Sequence, residues 1–89
     1  MNPQNAVSPS NRLREGTLNV IYTAPDGSWS LATMIWDKEE CVGCRWNGDI
    51  NDPDDKGNPT SRGRGTWFIL PGAIGRPIAD LVEAFSPRA

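Results

Sequence analysis

The stretch WSLATMIW, Trp29 to Trp36, sets the first limit on how this chain folds. Extended as a strand, it places Trp29, Leu31 and Ile35 on one face and Ala32, Met34 and Trp36 on the other. Apolar groups on both faces belong to a strand that is central in its sheet or covered from both sides. The preceding run, Thr17 to Thr23, alternates Leu18, Val20 and Tyr22 with Asn19, Ile21 and Thr23. Between the two runs lies Pro25-Asp26-Gly27-Ser28, where proline presets φ and glycine supplies a positive φ, so the pair reads as a β-hairpin.

The charged group Asp37-Lys38-Glu39-Glu40 makes the next turn, and CVGCRW follows as a third strand. Val42, Cys44 and Trp46 point inward from it, and Cys41, Gly43 and Arg45 outward. TWFIL is a short apolar fourth strand ended by Pro71-Gly72. Beyond it Ile74, Ile78, Leu81, Val82 and Phe85 recur at helical spacing, with Asp80 and Glu83 off the stripe. Pro77 suits a first helical turn, and Ser86-Pro87 ends the helix. The expected fold is α+β: a four-stranded antiparallel β-meander over residues 17–89 with one C-terminal α-helix packed on one face. Its expected core is Leu18, Val20, Tyr22, Val42, Trp46, Phe68, Ile78, Leu81, Val82 and Phe85. Residues 1–16, MNPQNAVSPSNRLREG, show no apolar period and read as a flexible N-terminal tail. Residues 47–65 also lack periodicity, and a loop of that length inside a small domain is functional or disordered.

With 89 residues, 8 prolines and 9 glycines, the chain builds one domain with a thin core. A net charge of -2 supplies no global field for nucleic acid or an anionic membrane. The charge is uneven, however. Asp37 to Asp55 carries seven acids against two bases, and Lys56 to Ala89 five bases against two acids. No stretch approaches the roughly 20 apolar residues of a membrane helix, and the N-terminus lacks the blocks of a signal peptide. The reading is a cytoplasmic protein with no membrane partner and with Cys41 and Cys44 as free thiols.

Candidate sites follow by elimination. Cys41 and Cys44 form a CxxC, but zinc needs about four ligands, and residues three apart on a strand face opposite sides. The acidic segment Asp49 to Asn58 fails the calcium-loop pattern: in one register Lys56 takes a ligand position, and the closing glutamate is absent. No metal or cofactor is expected. Without histidine, no ordinary base stands near neutral pH, so an enzyme using Cys44 as nucleophile ranks last. What remains is Thr60-Ser61-Arg62-Gly63-Arg64-Gly65. Its glycines allow close backbone approach, and its guanidiniums are planar forks for carboxylate or phosphate. Trp46 and Trp67 bracket the loop as stacking surfaces. The acidic half of the same loop offers the competing role of pairing with Arg62 and Arg64 and pinning the loop. The candidate binding residues are Arg45, Trp46, Arg62, Arg64 and Trp67.

At RWNGD, Arg45 to Asp49, and GNPTSRGRGTWFILP, Gly57 to Pro71, the sequence resembles small stand-alone proteins of bacteria and mobile elements. They share an RWNG, then GNPxSRG, then TWFxLP pattern. The resemblance covers about the C-terminal half, implies the same small fold and a bacterial or phage-like origin, and brings no catalytic or binding residues with it. In that pattern the helix opens straight after LP with acidic residues, whereas Gly72 to Pro77 intervenes here. The function expected is a non-catalytic interaction module for a protein partner or a second copy. The alternative is a nucleic-acid or phosphate-ligand binder working through Arg45, Arg62 and Arg64.

Overall fold

A computed structural model of the chain describes residues 1–85, with the Phe85 side chain left aside; Ser86-Pro87, expected to end the helix, and the Phe85 side chain expected in the core lie outside the described residues. The chain runs through β1 (Asn19–Thr23), β2 (Trp29–Trp36), β3 (Glu39–Trp46), β4 (Thr60–Ser61), β5 (Arg64–Gly65), β6 (Phe68–Ile69) and α1 (Gly72–Phe85). Strands β1-β2-β3-β6 form one antiparallel sheet, while β4 and β5 pair as a separate hairpin. The α+β meander with its C-terminal helix is therefore the architecture. The long excursion between β3 and β6 is partly regular: Arg62 (φ 53) and Gly63 (φ 77) turn β4 into β5.

Local chemistry accounts for the two long hairpins. At the first turn Gly27 adopts φ 77 and donates to the Ala24 carbonyl at 2.8 Å. Asp26 Oδ1 accepts from the Ser28 hydroxyl at 2.6 Å and its amide at 3.0 Å. At the second, Asp37 and Lys38 both take positive φ, 49 and 70. Two such residues close a tight turn, and Glu39 and Glu40 belong to β3 instead of the turn.

Strand β2 is indeed covered on both sides. On one face Leu31 and Val42 are buried with Ala79 and Val82 of α1. On the other, Ala32 and Met34 are buried with Met1, Ala6, Leu13 and Trp67. Residues 1–16, expected as a flexible tail, are thus the second cover of the sheet. They have no apolar period because, apart from a short 3-10 turn at Pro3–Asn5, they are not a regular element. Their backbone groups are satisfied one by one: Arg14 donates to the Ile35 carbonyl at 2.9 Å, the Asp37 amide to Arg12 at 2.9 Å, and the Trp67 indole Nε1 to Ala6 at 2.7 Å.

Two further expectations are corrected. The β1–β2 pairing shifts register between Val20 and Tyr22, so Val20 sits opposite Ala32 and Tyr22 opposite Leu31. This bulge keeps Leu18 and Val20 on the N-terminal face and sends Ile21 and Tyr22 to the helix face. Helix α1 begins directly after Pro71, whose carbonyl accepts from Ile74 at 3.0 Å and Gly75 at 2.8 Å, and it runs through Pro77. Its buried stripe is Gly75, Ala79 and Val82 with Ile78 half-buried, rotated from the expected one, so Ile74 and Leu81 are exposed. Close packing explains the rotation. A Cβ on Gly75 would lie 3.2 Å from the Val42 Cβ, tighter than an ordinary contact, so the glycine lets the helix approach β3 without pushing Val42 aside.

Candidate functional site

The expected binding residues separate into three places. Arg45 points to the N-terminal face and is 2 % exposed. Its Nε donates to Asn47 Oδ1 at 3.3 Å, one terminal nitrogen to the Thr66 carbonyl at 2.5 Å, and the other to the Lys56 carbonyl. The guanidinium also lies over the Trp67 ring, 5.9 Å from its centre. Burial pulls its pKa down from the usual arginine value. Among the described residues no carboxylate pairs with it, so its charge is held by carbonyl dipoles and a π face.

Asn47 extends this cluster. Its side-chain nitrogen donates to the Gly27 carbonyl at 3.0 Å and to Ser30 Oγ at 2.9 Å, and Ser30 Oγ lies 2.7 Å from Thr23 Oγ1. The Met1 ammonium donates to the Asn47 and Asp49 carbonyls, both at 2.8 Å. Arg45 and Asn47 thus tie the long loop, the first turn and the N-terminal segment to the sheet. Trp67, 3 % exposed, is core in the same cluster. Arg45 and Trp67 are enclosed supports, which corrects their expected place on a binding surface. A bulky outward-pointing arginine on a strand is compatible with solvent from sequence alone; the return of residues 56–67 over it closes it in.

Trp46 stands on the opposite face and is 56 % exposed, although it was expected in the core. It is the cross-strand partner of Trp29, while Cys44 pairs with both Leu31 and Phe68. Helix α1 seats its small residues over Leu31 and Val42 and leaves this end of the face open. Phe68, also expected in the core, is 45 % exposed. Trp29, Cys44, Trp46 and Phe68, together with Arg45, line an apolar depression of about 180 Å³. Tyr22 adds its ring 5.2 Å from that of Trp29. Trp29, Cys44 and Phe68 were missing from the expected binding set; the apolar character of both faces of β2 was their signal.

Arg62 and Arg64 lie elsewhere, on the exposed β4–β5 hairpin. Among the described residues neither side chain has a hydrogen bond or ion pair, and the expected pairing with the acidic half of the loop is not made. Those carboxylates bond to nearby backbone instead. Asp49 Oδ1 accepts from the Asn51 amide and Asp52 Oδ1 from the Asp54 amide, each at 2.9 Å. Asp55 accepts from the amides of Asp49 and Gly57, which hold its pKa below the usual carboxylate value. No group of three or more His, Cys, Asp or Glu among the described residues is placed to hold a metal ion. Cys41 packs with the N-terminal cluster and Cys44 with the helix cluster, on opposite faces, and burial pushes both thiols up. No helix of the described residues is long and apolar enough to cross a membrane.

Compared with family models, with curated proteins and with solved structures, the chain matches none.

Proposed function

We propose that this chain is a non-catalytic interaction module that binds a protein partner, or a second copy of itself, through the aromatic end of its helix-side sheet face. One observation carries the reading: Trp46 and Phe68 stay exposed beside Trp29 around an apolar depression, although α1 covers the rest of that face. In a domain with a thin core, leaving two large aromatics in water forfeits burial that folding would otherwise use. Aromatic side chains in a shallow pocket are the usual centre of a protein interface. Phe68 also belongs to β6, a two-residue edge strand paired, among the described residues, with β3 alone. An extended apolar segment laid along that edge would place a side chain into the depression. Cys44 borders the same site, and burial raises its thiol pKa, which disfavours the thiolate a nucleophile needs.

The test joins sedimentation with peptide selection, using wild type and the variant Trp46→Ser with Phe68→Ser. Association with increasing concentration, or selected peptides, present in wild type and lost in the variant, supports the reading. A strict monomer that selects no peptide distinguishing the two proteins rejects it.

A further inference from the structure

The hairpin arginines have a neighbour that lies far away in the sequence. Arg12, Arg62 and Arg64 line one open groove together with Ser8, Ser10, Asn11 and Ser61. Its two walls are fixed relative to each other. The Ser8 amide donates to the Gly65 carbonyl at 3.4 Å, and Ser61 pairs with Arg64 across the hairpin. Arg12 is held in turn where its carbonyl accepts from the Asp37 amide at 2.9 Å. Folding the N-terminal segment onto the sheet therefore assembles a cluster of cations that neither segment contains alone.

We propose that this groove is a site for phosphate oxyanions, gripped by Arg12, Arg62 and Arg64. Guanidinium forks match phosphate oxygens in pairs, and serine hydroxyls donate to those that remain. Among the described residues no carboxylate of the preceding acidic segment pairs with Arg62 or Arg64, and Asp49, Asp52 and Asp55 turn their oxygens to backbone amides of their own segment. Among the described residues Arg12 has one ion-pair partner, Asp37 at 3.6 Å, with both side chains 56 % exposed. A pair that exposed is weak, and the fork of Arg12 can serve a phosphate beside it. At about 520 Å³ the groove exceeds a single phosphate, which suits a polyphosphate or a stretch of phosphodiester backbone. Among the described residues no aromatic side chain lines it, so no base stacks there and the groove reads charge without reading sequence. It shares no residue with the depression around Trp46, and the two sites stand or fall separately.

The test titrates the full-length chain with two probes at low salt, tripolyphosphate and a short single-stranded oligonucleotide. Binding of either probe that weakens as salt rises is expected. For the oligonucleotide the logarithm of affinity falls with the logarithm of salt at a slope of about 2, roughly 0.7 for each arginine-phosphate contact. Arg62→Ala with Arg64→Ala lowers affinity about tenfold or more, and Arg12→Ala several-fold. Arg62→Gly relaxes the turn at φ 53 and keeps the fold, so its loss of affinity reports the side chain alone. Trp46→Ser with Phe68→Ser leaves affinity unchanged. Capture of tripolyphosphate alone identifies a free polyphosphate as ligand, and capture of the oligonucleotide identifies a backbone. Absence of binding to both, or binding indifferent to Arg12 and to the hairpin arginines, overturns the proposal.

Discussion

On one face of the sheet a regular helix lays Gly75, Ala79 and Val82 over Leu31 and Val42; on the other an irregular segment lays Met1, Ala6 and Leu13 over Ala32, Met34 and Trp67. The helix satisfies its own backbone and needs only side-chain fit. The N-terminal segment satisfies its backbone through borrowed partners, with the Trp67 indole, the Ile35 carbonyl and the β5 end each taking a share. Behind it stands a buried cation, Arg45, which gathers the long loop. A cover without periodicity thus depends on specific polar contacts where a helix depends on shape. The same contrast separates the two candidate sites. Among the described residues the aromatic depression lies beside the part of the face that α1 covers, and the arginine groove lies where the N-terminal segment meets the β4–β5 hairpin.

The sharpest way to break this comparison is to remove the polar support. Arg45→Ala leaves the carbonyls of Thr66 and Lys56 and the Asn47 side chain without their donor, beneath a cavity. Its expected cost is on the order of 3–5 kcal/mol in chemical denaturation, enough to unfold a domain of this size. A cost below about 1 kcal/mol would mean that the loop and the N-terminal face are held by something else. Next comes Leu13→Ala, set against Val82→Ala. Leu13 is 2 % exposed, and its truncation costs about 3 kcal/mol, at least as much as that of Val82 on the helix face. A flexible tail would instead give a change within about 0.5 kcal/mol.

Why the helix cover was legible and the other was not follows from these residues. Val82 and Ile78 recur with the helical period, and the hairpin turns carry their own residue types, so the meander and α1 can be read from local patterns. Even there, the helical period points to the wrong stripe, because Ile74 and Leu81 look like better core residues than the buried Gly75 and Ala79. Only the close approach to Val42 reverses that preference. Likewise the bulge that turns Tyr22 toward Trp29 has no local signal. Leu13 and Ala6 recur with no period, and Arg45 reads as a surface charge until the carbonyls of Thr66 and Lys56 come to it from a distance and join the nearby Asn47 side chain. Of the expected site residues, Trp46, Arg62 and Arg64 are exposed as a binding role requires, but they serve two surfaces that the sequence does not separate.

A smaller effect sharpens the helix side. Gly75→Val places atoms against Val42 and Leu70, where a Cβ alone would already lie 3.2 and 3.5 Å from their Cβ atoms. About 1–2 kcal/mol of destabilisation is expected from thermal melts. Gly72→Ala, with nothing within 4 Å of the new Cβ, is expected to be neutral or to stabilise by up to about 0.5 kcal/mol. If both substitutions behave alike, the helix does not sit on β3 through Gly75. Smallest of all is Trp46→Ser, which removes a 56 % exposed ring and is expected to change stability by no more than about 0.5 kcal/mol.

Hydrogen exchange of the tryptophan indole protons, followed by NMR in the full chain, bears on both covers at once. Trp67 donates its indole proton to the Ala6 carbonyl at 2.7 Å under the N-terminal segment, while Trp46 stands open beside Phe68. Slow exchange at Trp67 with fast exchange at Trp46 is the result expected of a sheet closed by residues 1–16 and left open at its aromatic end. Fast exchange at Trp67, at the rate of Trp46, would contradict it.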